Sequence, residues 1–219
     1  MFDEAVISML IRGIGETLYM TLFSTALAYL LGLPLGVLLV VTGSDGLRPV
    51  LWLHQTLGIL INLLRSVPFL ILLIAVIPFT RIVVGTTIGP TATVVPLVIS
   101  AAPFVARLVE SSLKEVEHGV VEAAWSMGSS PMRIILRVLI PEARPSLLLG
   151  AAIAVTTILG YSAMAGIVAG GGLGDIAIRY GYYRYQKDIM LVTVALLVIV
   201  VQVLQEIGAR LAKINDKRI

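Results

Sequence analysis

Few side chains in this sequence are equipped for covalent or acid–base chemistry. There is no cysteine, which removes thiolate nucleophiles, disulfides and cysteine-bound zinc together. The two histidines, His54 and His118, are placed in loops, far apart in the chain and without metal-ligand spacing around them. No Gly-x-x-x-x-Gly-Lys-Ser/Thr loop is present to cradle phosphates. The glycine cluster Gly170-Gly171-Gly172-Leu173-Gly174 has no lysine and follows an apolar span rather than a strand. Paired carboxylates, a metal set or an activated nucleophile would be needed for catalysis, and none is legible, so the chain is read as no enzyme.

What remains is polar chemistry inside apolar surroundings. Arg65 is the only charge within an otherwise apolar stretch, where a charge at the bilayer centre costs about 2.5–3.5 kcal/mol on insertion scales. It either finds water or a partner, or sits near the cytoplasmic end of its span and snorkels. Pro68, three residues on, is placed to interrupt that helix. Thr156, Thr157, Tyr161, Ser162 and Met164 spot another aliphatic stretch, and Tyr161 and Met164 are three apart and share a helical face. A thioether beside an aromatic ring suits a sulfur-containing ligand through sulfur–aromatic contact, and it serves equally as a gap-filler in helix packing.

The elements that must position these groups follow from composition. The chain has 219 residues, 58% apolar and 13% charged, and a mean hydropathy of +1.00, whereas soluble domains carry about 25% charge. A hydrocarbon core of about 30 Å needs roughly 20 mostly apolar residues as a helix. Residues 17–44, 82–106, 146–174 and 189–205 are free of charge, and 56–80 is broken only by Arg65. The fold class is therefore all-α, a polytopic membrane protein of about five transmembrane helices with its two ends on opposite faces. Residues 1–16 form an N-terminal interfacial segment, 17–207 the membrane domain and 208–219 a tail. Asp3 and Glu4 precede any basic residue, which argues against a cleaved signal. Gly32 with Gly36, and Gly166, Gly170 and Gly174, stand at the four-residue spacing that lets helices approach closely.

Basic residues orient the spans, since cytoplasmic loops are enriched in Lys and Arg. A cytoplasmic C-terminus puts Arg48, Arg107, Lys114, Arg133, Arg137, Arg144, Arg210, Lys213, Lys217 and Arg218 inside. Arg12, Arg81, Arg179, Arg184 and Lys187 then lie outside. The formal charge of +3 is read as this topology signal, not as a nucleic-acid surface, because no Lys/Arg run accompanies it. The longest hydrophilic stretch, Glu110 to Arg144, then faces the cytoplasm. In it Val120, Val121, Ala124 and Trp125 share one helical face. Gly128 fits a helix stop, Ser130 an N-cap and Pro131 the first position of a second helix to about Ile140. Pro141 and Pro145 are expected to break the chain before the next span.

Glu122-Ala123-Ala124, three residues, Gly128, nine residues, then Val138-Leu139-Ile140-Pro141 resembles the motif of ABC-importer permeases. The spacing is complete, and Val138 and Ile140 are conservative departures. Three further runs look like methionine-importer permeases: Ala101-Ala102-Pro103-Phe104-Val105-Ala106-Arg107, Gly160-Tyr161-Ser162-Ala163-Met164-Ala165-Gly166 and the glycine cluster. Leu64-Arg65-Ser66-Val67-Pro68-Phe69 is similar to a segment of amino-acid importers. The resemblance implies a coupling helix in which Glu122, Ala123, Ala124, Trp125, Gly128 and Pro141 dock a separate ATPase. It also implies a permease homodimer, two ATP-binding subunits carrying the ATP and Mg, and an extracytoplasmic methionine-binding protein. No cofactor is implied in this chain. It places the chain in the bacterial inner membrane, among lipid, with Tyr161 and Met164 on the substrate pathway. A permease for another amino acid is the near alternative. A secondary transporter would require internal repeats and acidic residues within spans, and neither is seen.

Overall fold

The structure, a computed structural model, describes residues 3–215; the expected segments over residues 1–2 and 216–219, with Lys217 and Arg218, lie outside the described residues. Among the described residues every regular element is helical. Helix α1, Glu4–Thr42, is continuous over 39 residues, about 58 Å at the helical rise. The segment expected at the interface is, from Glu4 on, the opening turns of α1. Glu16, which bounds the apolar stretch on that side, does not stop the helix, because it pairs with Arg12 along it at 2.9 Å.

The second crossing is broken. Helix α2, Leu51–Ser66, and α3, Phe69–Ala75, are bent by 98°, and Pro68 stands at the joint. Its missing N–H and ring cannot continue α2, while its carbonyl receives the Ile71 and Leu72 amides at 3.0 Å to start α3. Helix α4, Ile77–Val84, ends on Gly85. Helix α5 is Pro90–Lys114, eight residues later than the apolar run 82–106 suggests. Pro90 sets its start, and Arg107 does not end it. Arg107 meets Glu110 at 2.6 Å and Lys114 meets Glu110 at 2.7 Å, so one carboxylate is shared by two cations on one helix. The Arg107 guanidinium also donates to the Gly58 carbonyl at 3.2 Å and the Asn62 side-chain oxygen at 3.0 Å, tying α5 to α2.

Short helices α6, His118–Ser126, α7, Pro131–Ile134, and α8, Ile140–Glu142, lead to α9, Arg144–Met164. Pro141 does not break the chain as expected. Between α7 and α8 the ladder widens to a π-helical turn, Ile135–Leu139, which absorbs the amide that Pro141 lacks. After α9 the chain turns at Ala169, Gly170 and Gly171 into α10, Gly172–Ile176, and a π-helical turn, Ala177–Tyr182. Helix α11, Lys187–Asn215, takes in the first part of the expected tail. Among the described residues four runs are long and apolar enough to cross a membrane, and the bent α2–α3 pair makes a fifth.

Helices α1 and α5 run parallel and form the centre of the bundle. A Cβ on Gly32 would lie 2.7 Å from Val105 Cγ1 and 2.8 Å from the Ala102 carbonyl. One on Gly36 would lie 2.6 Å from Val109 Cβ. The two glycines therefore set how closely the backbones meet, as their spacing implies. Met20, Leu97, Val105, Ile134 and Ile158 are fully buried between α1, α5, α7 and α9.

Candidate functional site

At the end of the bundle where α5 stops, α6 and α7 form a helix–turn–helix. Met127 and Gly128 donate their amides to Ala123 and Trp125 carbonyls at 3.1 and 2.9 Å, and Ser129 donates to Ala124 at 3.2 Å. Gly128 closes the turn at φ +75°, a left-handed conformation in which glycine carries no Cβ penalty. Ser130 takes the extended N-cap conformation before Pro131, and its carbonyl receives the Ile134 amide. The alanine pair of the motif is split. Ala124 is buried with Val121, Ile134 and Leu139, anchoring α6 to the bundle, whereas Ala123 is exposed. Trp125 is half exposed and Met127 is 78% exposed. Glu122 is exposed beside His118, 3.3 Å away, and Pro141 is exposed on α8. No side chain lies within 4 Å of where a Cβ on Gly128 would stand. The hairpin thus presents an apolar, open outer face on a fixed inner one.

At membrane level the elbow between α2 and α3 meets α9. Phe69, the first residue of α3, stacks on Tyr161 with ring centroids 4.6 Å apart and planes 7° apart. Arg65 lies in the last turn of α2, exposed and with no hydrogen-bond or ion-pair partner among the described residues. Fourteen residues of helix put it about 21 Å from Leu51, well along the crossing and away from the α6 end. Met164, one turn beyond Tyr161, is 50% exposed. The hydroxyls of Thr156, Thr157 and Ser162 are spent on carbonyls of their own helix, at 2.8 to 3.0 Å. Of the polar-spotted stretch, Tyr161 and Met164 alone present side-chain chemistry to a neighbour or to open space.

Residues 28–219 match the family described as binding-protein-dependent transport system inner membrane component. This chain belongs to that family. Among its relatives is the probable D-methionine transport system permease protein MetI of Vibrio cholerae, 52% identical over 210 residues, 96% of this chain and 93% of that one. The D-methionine transport system permease protein MetI of Escherichia coli K12 is 47% identical over 164 residues, 75% of this chain and 76% of that one. A solved structure of the MetNI methionine ABC transporter in inward-facing conformations contains a chain 44% identical, with a TM-score of 0.97 over 99% of this chain and 100% of that one. An amino acid ABC transporter crystallised with histidines shares the fold, at 21% identity and a TM-score of 0.72.

As a membrane component of this family, the chain is a multi-pass inner-membrane permease subunit and not the ATPase. Other contacts of this permease lie beyond what the sequence reading found. Both histidines are on helices, His54 in α2 and His118 at the start of α6, and they line one cavity under the hairpin. At the opposite end Glu16 accepts the Gly172 amide at 2.8 Å and the Thr17 hydroxyl accepts that of Leu173 at 2.9 Å. The Thr93 hydroxyl donates to the Gly170 carbonyl at 3.1 Å. Helices α1 and α5 thereby clamp the glycine turn before α10. In the sequence Glu16 marks only the edge of the 17–44 stretch, and its contact with the remote Gly172 amide leaves no local signal.

Proposed function

We propose that this chain is the translocation subunit of an importer for methionine, as the D or L form, working as a homodimer with two ATP-binding subunits and an extracytoplasmic methionine-binding protein. The carrying observation is the hairpin: a complete Glu-Ala-Ala to Gly motif fixed to the bundle through Ala124 while Ala123, Trp125 and Met127 stay open. An exposed apolar face of this kind suits burial against another protein. Its occupant is an ATPase subunit that holds ATP and Mg, which makes the α6 end cytoplasmic and the Glu4 end of α1 extracytoplasmic. The coupling segment is about 111–145. Pro141 shapes the return of the hairpin into α9, and Glu122 offers its carboxylate to a basic group of the partner. The substrate assignment is supported by 52% identity over nearly the whole length to a D-methionine permease protein. Tyr161 and Met164 border the route, at the elbow where α2 breaks.

Gly128→Asp tests the coupling role. Asp tolerates a left-handed backbone better than most residues, and no atom of the described residues obstructs it, so insertion and dimerisation stay normal. In a close docking face the added charge is unpaired and costly. Pull-down of the ATPase subunit drops, or methionine uptake into proteoliposomes supplied with binding protein and ATP falls at least ten-fold while hydrolysis continues. Gly128→Asn, of the same shape without the charge, retains more of both. Normal association and normal uptake for Gly128→Asp would falsify the coupling assignment.

A further inference from the structure

Helix α2 has three faces. Leu57 and Ile61 turn into the bundle, where Ile61 is buried beside Leu39 and Ala106. Trp52, Ile59, Leu60 and Leu63 are exposed and apolar, a surface suited to lipid tails. The third face is exposed and polar: Gln55, Asn62, Arg65 and Ser66 form one stripe along the helix. An apolar and a polar face, both uncovered on one membrane-crossing helix, meet two different media, so the polar stripe borders water rather than lipid. Little in the chain answers it. The Ser66 hydroxyl donates to the Asn62 carbonyl at 2.8 Å, and the Asn62 side-chain oxygen accepts from Arg107 at 3.0 Å. The side chains of Gln55 and Arg65 have no partner among the described residues. Pro68 stands where the amide for the Leu64 carbonyl would be, and the Arg65 carbonyl receives no amide among the described residues either.

Arg65 lies about 21 Å along α2 from Leu51, inside a hydrocarbon layer about 30 Å thick. A guanidinium does not lose its proton there, so it needs an anion. The apolar stretches 17–44, 56–80, 82–106, 146–174 and 189–205 contain no Asp or Glu, and a second copy of the chain would bring none into that layer. The anion therefore comes with the cargo. We infer that Arg65 receives the carboxylate of an amino acid in transit, while the free carbonyls of Leu64 and Arg65 receive its ammonium. The two halves of the site come from one elbow: the 98° bend after Ser66 frees the carbonyls and ends α2 beside the cation. Broken membrane helices supply ion-binding groups in this way, through carbonyls released from the ladder. The planar fork of an arginine matches a carboxylate in two parallel hydrogen bonds, which a lysine cannot do. That the anion belongs to an amino acid rests on the function proposed above.

The chain has no cysteine, so Ser66→Cys places a single thiol beside Arg65 on the polar stripe. Its alkylation by a water-soluble maleimide is followed by the mass of this chain within the intact complex with the ATPase subunit, without binding protein. Millimolar methionine slows alkylation several-fold, while methioninol, with a hydroxyl in place of the carboxylate, does not. Arg65→Gln in the same background abolishes the protection, and Arg65→Lys keeps part of it. In the parent sequence Arg65→Gln leaves yield and ATPase association unchanged, and methionine uptake into proteoliposomes supplied with binding protein and ATP falls at least ten-fold. A thiol closed to the maleimide overturns the inference, because the stripe then borders no water. Equal alkylation with and without methionine also overturns it, as does protection by methioninol or protection that survives Arg65→Gln. Loss of yield or of ATPase association in Arg65→Gln shows a structural role and overturns it too. Parental methionine uptake by Arg65→Gln removes the carboxylate site and leaves the proposed function standing. Protection by leucine and not by methionine keeps the site and removes the methionine reading.

Discussion

The α1–α5 seam and the α6–α7 hairpin use the same residue types for opposite ends. At the seam Gly32 and Gly36 face crowded atoms, and a methyl group at either would enter Val105 or Val109. At the hairpin Gly128 faces no atom within 4 Å and is required for its left-handed backbone instead. The alanines behave alike: Ala28, Ala101 and Ala102 are buried at or beside the seam, while Ala123 stands open. Small residues whose space is already filled hold the fold, and small residues facing open space are available to a partner. The same contrast separates the charges. Glu110 is buried and paired on both sides, and removing one partner from such a pair typically costs about 3–5 kcal/mol. Exposed pairs such as Arg12 with Glu16 contribute far less.

The comparison is broken most readily at its crowded side. Gly36→Leu forces a side chain into Val109 and the Ala106 carbonyl and destabilises the bundle by about 3 kcal/mol or more. Yield and thermal stability in detergent both fall. Gly15→Leu, with no atom within 4 Å, is the control and leaves both near the parent. Equal behaviour of the two would mean that crowding does not distinguish seam from surface.

An intermediate effect is expected at the elbow, where Tyr161 is packed and Met164 is open. Tyr161→Ala removes the stack on Phe69 and lowers stability by roughly 1–3 kcal/mol, given that aromatic pairs add about 0.5–1.5 kcal/mol beyond area burial. Met164→Ala leaves stability unchanged and alters the KM for methionine uptake. If both variants match the parent in uptake kinetics, the two residues serve packing only.

The smallest effect belongs to the exposed pair on α1. Arg12→Gln changes stability by less than about 0.5 kcal/mol and leaves the Glu16 contact to the Gly172 amide in place. A larger loss in thermal unfolding would show that Arg12 positions Glu16 for the clamp.

Hydrophobic content and charge spacing determined the fold class, because a chain this apolar must satisfy its backbone internally and helices do so locally. Gly128, Ser130 and Pro131 determined the hairpin turn for the same reason: each acts on its own φ and ψ or on the next few amides. Helix ends were not determined this way. Glu16, Arg107, Asp175 and Glu206 each marked the edge of an apolar stretch. In the structure each pairs with a charge three or four residues away, with Arg12, Glu110, Arg179 and Arg210, so the helices run on. Nor was the division of the apolar α6 face, Ala124 inward but Val120 and Trp125 open, or the meeting of His54 with His118 around one cavity. Those depend on contacts between residues remote in the chain, which only the packing of α1, α2, α5 and α9 decides.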